Sequence, residues 1–103
     1  MKDSKNNIKL NYLYRDSGNY KIYGNQIFTN PDSIKIEDIE RKIKSALIDG
    51  EFFDPLKWGI EPLKFQDENE DLDHPWNEFN SISLSNEPPS VDFSITELLE
   101  KIK

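Results

Sequence analysis

Between Ile36 and Gly50 the chain reads IEDIERKIKSALIDG, and Ile36, Ile39, Ile43, Ala46 and Leu47 recur there at steps of three and four. That spacing places them on one stripe of a helix, while Glu37, Glu40, Arg41, Lys42 and Lys44 point elsewhere. No other long segment keeps so clean a helical period. A single amphipathic helix has to bury its stripe against something, and in a chain this short the partner is a sheet. Glu37 and Asp38 suit the first turn, where the helix dipole favours negative charge, and Ile34 is spaced to pack on Ile39 as a hydrophobic staple. Lys35 is a poor cap. Gly50 follows Asp49 and can take the left-handed backbone that ends helices, which predicts the stop there and turns Phe52 and Phe53 toward the core.

The rest of the chain supplies that sheet. Ile8, Leu10, Tyr12 and Tyr14 alternate along Ile8 to Arg15, which predicts a strand with these four on the face a helix covers. Turn residues Asp16, Ser17, Gly18 and Asn19 then lead into Tyr20 to Phe28 as the returning strand of a hairpin, with Gly24 as a candidate bulge. After the helix, Glu51 to Phe53 suits a short strand, and Pro55, Gly59 and Pro62 rule out long regular structure through Leu63. Phe79, Ile82 and Leu84 mark a strand of roughly Glu78 to Leu84, and Pro88-Pro89 ends it. Ser94 and Glu97 form a capping box for a last helix, Ile95 to Ile102, with Ile95, Leu98, Leu99 and Ile102 inward. The expectation is an α+β domain spanning 1–103, with 1–7 loosely held and an antiparallel sheet of three to four strands. Its element order is β-β-α-β-β-α, with the helices packed on one face.

At 103 residues the chain fits one domain with one modest core. It has no cysteine, which excludes a disulfide framework, thiolate metal sites and cysteine catalysis, and suits a reducing, cytoplasmic setting. The start MKDSKNNIKL has no apolar h-region, and no long apolar run follows, so neither a common secretory signal nor a membrane span is expected. The net charge of −7 is uneven: residues 1–24 carry five Lys/Arg against two Asp/Glu, and 25–103 carry eight against eighteen. That excess argues against direct binding of nucleic acid or anionic membrane, which relies on clustered Lys and Arg. It suits a protein partner, above all a basic one.

Few residues carry a chemical signal. His74 is the sole histidine, and Asp73 before it could orient it as a general base. Spacing fixes no nucleophile or metal ligand beside the pair, so a structural turn with Pro75 and Trp76 explains it better. Asp67, Asp71 and Asp73 belong to the acidic run 66–73 and offer oxygen ligands for Ca²⁺ or Mg²⁺. The run lacks the central glycine and distal glutamate of an EF-hand loop, so it reads first as a solvated charge run. Tyr20, Trp58 and Trp76 are residue types that anchor interfaces when exposed. Arg15 and Asn19 stand where polar side chains cluster at the hairpin turn, which their own hydrogen bonds equally explain. No GxGxxG, GxxxxGK or GxSxG occurs, so no cofactor is expected.

Three phrases, YLYRD-x-GNYK at Tyr12 to Lys21, SALIDGEFF at Ser45 to Phe53 and DHPW-x-EF at Asp73 to Phe79, resemble a family of small acidic bacterial proteins with no established activity. The family's last phrase often reads HPWHEF, and Asn77 stands here where its second histidine does. A metal held by that histidine pair in relatives would lack one ligand in this chain. The leading expectation is a non-catalytic protein-protein interaction module, an accessory or inhibitor protein with an acidic surface. In its sharpest form it occupies a basic surface as a DNA mimic would. The alternative is a small enzyme that uses His74 with Asp73.

Overall fold

The computed structural model describes residues 7–15, 18, 20–63 and 76–102. Its elements run β1 (Asn7–Arg15), β2 (Lys21–Phe28), α1 (Ile36–Ser45), β3 (Phe52–Phe53), α2 (Pro55–Trp58), β4 (Asn77–Ser85) and α3 (Ile95–Ile102). The four strands pair antiparallel in the order β2-β1-β4-β3, so the fold is α+β. The expected order β-β-α-β-β-α is corrected by α2, one helical turn between β3 and β4. Asp54 caps it by accepting the Leu56 N–H at 3.1 Å, Pro55 occupies its first turn, and Gly59 ends it at φ 78°. The Ile60 N–H reaches back to the Pro55 carbonyl at 3.0 Å, the six-to-one bond that closes a helix end on a left-handed residue.

Ile39 and Ile43 of α1 are fully buried, as its stripe requires, each stabilising the fold by about 1.5–3 kcal/mol. Lys35 contributes no side-chain cap. The helix ends at Ser45, five residues before Gly50, and this corrects the expected stop. Asp49 and Gly50 both adopt positive φ, 55° and 73°, in a tight turn that the Asp-Gly pair favours. Ile48 and Phe52 exchange backbone bonds of 2.7 and 2.9 Å across it. The turn wins over another helical turn because it delivers Phe52 and Phe53 to β4. The capping box of α3 forms as expected: the Glu97 N–H donates to Ser94 Oγ at 3.2 Å, and the Ser94 N–H donates to Glu97 Oε1 at 2.8 Å.

Ile8, Leu10, Tyr12 and Phe28 from the sheet join Phe53, Trp58, Ile39, Ile43, Ile95 and Leu98 in one buried cluster. Tyr12 donates its hydroxyl to the Glu61 carbonyl and accepts from Gln26 Nε2 at 3.2 Å, which pins the 61–63 segment to the sheet. Burial pushes the Tyr12 phenol pKa up, against the opposing Gln26 hydrogen bond, and the Glu61 charge adds to the rise. Gly24 does not bulge β2: the β1–β2 register runs unbroken through Tyr12↔Gly24. Its lack of a side chain admits Leu63, whose Cδ2 would lie 2.8 Å from a Cβ there.

The irregularity lies in β4. The register steps from Asn11↔Ser81 to Tyr12↔Phe79, leaving Asn80 as an extra residue. Strict alternation could not put Phe79 on one face with Ile82 and Leu84; the bulge reverses the parity and turns Phe79 and Asn77 inward. Ser81 and Ser83 register with Asn11 and Lys9 on the opposite face.

At the far end of the sheet Lys9 Nζ lies 3.1 Å from Glu87 Oε1, which also accepts from Ser85 Oγ at 3.1 Å. The hydrogen bond from Lys9, with a smaller one from Ser85, holds the Glu87 carboxyl below its ordinary value. A depressed folded pKa means that this stabilisation is present above the unfolded-state pKa and is lost as pH falls through the folded one. NMR titration should give Glu87 a midpoint below that of an isolated glutamate, and Lys9→Gln should raise it. An unshifted midpoint in the intact protein would show that the pair does not form in solution.

Candidate functional site

Trp58 and Trp76, singled out in the sequence as interface residue types, line one cavity of about 240 Å³. Trp58 reaches it from the end of α2, where capping by Asp54 and the turn at Gly59 fix the helix. Trp76 precedes β4 and is carried there by the pairing of Phe52 with Glu78 and of Phe53 with Asn77. Its ring lies 6.2 Å from that of Phe52. Phe53 forms the inner wall, stacked on Trp58 at 4.2 Å with the planes 26° apart and set edge-on to Tyr12 at 5.6 Å. Ala46 and Ile48, from the turn after α1, and Ile102 of α3 complete the apolar lining.

Three charged side chains also line the cavity: Asp54, Lys57 and Lys101. Asp54 is engaged as the cap of α2. Lys101 Nζ sits 5.1 Å above the Phe93 ring, a cation–π distance. The site can hold one apolar side chain against aromatic faces, with ammonium groups beside it. Among the described residues its lining holds no Ser, Cys, Thr or His. Among the described residues no group of three or more His, Cys, Asp or Glu could hold a metal ion.

The other sequence candidates do not converge here. Arg15 lies on the opposite sheet face in a two-point pair with Glu78, Nε to Oε2 at 2.8 Å and Nη2 to Oε1 at 3.2 Å. That hydrogen bond holds the guanidinium pKa above its ordinary value. Tyr20 precedes β2 and is 71% exposed. Asn19, Asp67, Asp71, Asp73 and His74 lie outside the described residues. Asn77 is 1% exposed and brackets the Leu63 backbone: Oδ1 accepts the Leu63 N–H at 3.0 Å and Nδ2 donates to its carbonyl at 3.3 Å.

Sequence reasoning missed Ile48, Lys57 and Lys101 as site residues. Asp54-Pro55 followed by Gly59 is a readable signature of a one-turn helix, and it would have placed Lys57 beside Trp58. Lys101 carried no comparable signal.

A larger trough of about 680 Å³ lies between the 59–61 segment and the 89–93 segment. Two of its polar side chains are engaged with each other: Ser90 Oγ donates to Gln26 Oε1 at 2.7 Å and accepts the Ile27 N–H at 2.8 Å. This arrangement holds the loop to β2 and offers no aromatic wall comparable to that of the smaller cavity.

No protein family, no curated protein and no solved structure matches the chain. No helix among the described residues is long and apolar enough to cross a membrane.

Proposed function

We propose that the protein is a small, non-catalytic binding module that acts by engaging another protein, as an accessory or inhibitor subunit. The observation that carries this reading is the meeting of Trp58 and Trp76 at one apolar-walled cavity. Rigid aromatic rings beside a side-chain-sized cavity are the usual anchor points of protein interfaces.

The test is capture from a lysate of the source organism with nuclease present, comparing the intact chain with Trp76→Ala. Trp76 is half-buried at a strand end, so this substitution leaves the central core in place. A stoichiometric protein that survives nuclease and is lost with Trp76→Ala is the expected result. Equal capture by both chains, or no captured protein, overturns the reading.

A further inference from the structure

Resting on the reading of the Trp58–Trp76 cavity as a protein-binding site, we propose that its occupant is a phenylalanine-sized side chain from an acidic segment of the partner. Size points to a side chain. The cavity of about 240 Å³ is smaller than the roughly 300–1,000 Å³ of drug-sized ligand sites. Its walls are ring faces and aliphatic groups, and a phenyl ring can meet them in the tilted or edge-on geometries already adopted by Tyr12, Phe52 and Phe53.

Charge points to acidic neighbours of that side chain. Net charge alone, at −7, would suggest a basic partner, but the rim of the cavity has the opposite sign. Lys57 and Lys101 are both exposed, and among the described residues neither lies within ion-pair distance of a carboxylate. Among the described residues the one carboxylate in the lining, Asp54, accepts the Leu56 N–H at the start of α2. A basic segment would bring like charge against Lys57 and against Lys101, whose ammonium is held over Phe93, whereas carboxylates beside the anchor would meet positive charge at this rim.

Both tryptophans of the chain line this cavity, so intrinsic tryptophan emission reports its occupancy without a label. The full chain is titrated with three blocked hexapeptides: one with phenylalanine between aspartates, one with alanine in its place, and one with phenylalanine between lysines. The acidic phenylalanine peptide is expected to shift the emission and saturate, and the other two to bind at least fivefold more weakly. Lys57→Gln with Lys101→Gln should weaken the acidic peptide by about threefold to tenfold at low salt, the range for two exposed ion pairs. Both changes are on the surface, and an unchanged circular dichroism spectrum establishes that the variant is folded.

Equal or tighter binding of the lysine-flanked peptide overturns the proposal in favour of a basic partner, and so does an unchanged affinity in the double variant. Capture of a partner through Trp76 with no response to the acidic peptide removes the acidic-segment inference and leaves the protein-binding reading standing. Failure of both experiments removes both.

Discussion

Phe53→Ala is expected to lower the stability of the protein by about 3–5 kcal/mol, a large part of the roughly 5–15 kcal/mol available to a domain of this size. Phe53 is 1% exposed, stacked on Trp58 and edge-on to Tyr12, so the deletion leaves a hole bounded by two large rings and a sheet. Rings of that size cannot collapse into it without leaving their rotamers. Thermal unfolding should show the midpoint falling by more than about 10 °C. Phe53→Leu keeps most of the volume and loses the stacking, and should cost only about 1–2 kcal/mol. Equal losses from the two variants would show that ring geometry, and not filled volume, dominates at this position.

Asn77→Ala should destabilise by about 2–4 kcal/mol, because it withdraws both partners of the Leu63 backbone at once. Asn77→Asp is expected to be nearly as harmful. A carboxylate can still accept the Leu63 N–H but faces the Leu63 carbonyl with a second acceptor, and a charge buried there is costly. Denaturant unfolding measures both losses, and hydrogen exchange at the Leu63 amide reports the bracket directly. A loss below about 0.5 kcal/mol for Asn77→Ala would mean that water replaces the side chain at no cost. Position 77 is a buried structural position in this fold. Turned inward by the Asn80 bulge, the side chain there ties the 61–63 segment to the sheet.

The rim lysines, unlike Phe53, separate the fold from the proposed site. Phe53 is shared between core and cavity wall, whereas Lys57 and Lys101 touch only the rim. A variant that loses peptide binding with unchanged stability must therefore act through the rim. Trp58, 4% exposed and stacked on Phe53, is unsuitable for that separation, because removing it opens the core.

Where an element is specified by neighbours within a turn or two, the sequence by itself was enough. The stripe of Ile39 and Ile43, the Ser94–Glu97 capping box, the alternation of Ile8, Leu10, Tyr12 and Tyr14, and the β1–β2 hairpin are all short-range patterns, and each appears in the structure. Asp54-Pro55 was as local a signal for α2, but a run of prolines and a glycine reads first as loop.

The end of α1 was not decided locally. Ala46 and Leu47 continue the helical period, yet the chain leaves the helix because Phe52 and Phe53 gain more by pairing with β4 than another helical turn would. The Asn80 bulge is likewise absent from the pattern, since it exists only to reconcile Phe79 with Ile82 across a strand that β1 supplies from almost seventy residues away. The candidate site depends most on tertiary structure. Trp58 and Trp76 could be chosen by residue type, but their meeting requires β3–β4 pairing, the α2 turn and the end of α3 to arrive together. Periodicity and capping are encoded within a few residues, whereas strand order and cavity walls depend on which distant surfaces bury each other best, and only the packed chain expresses that comparison.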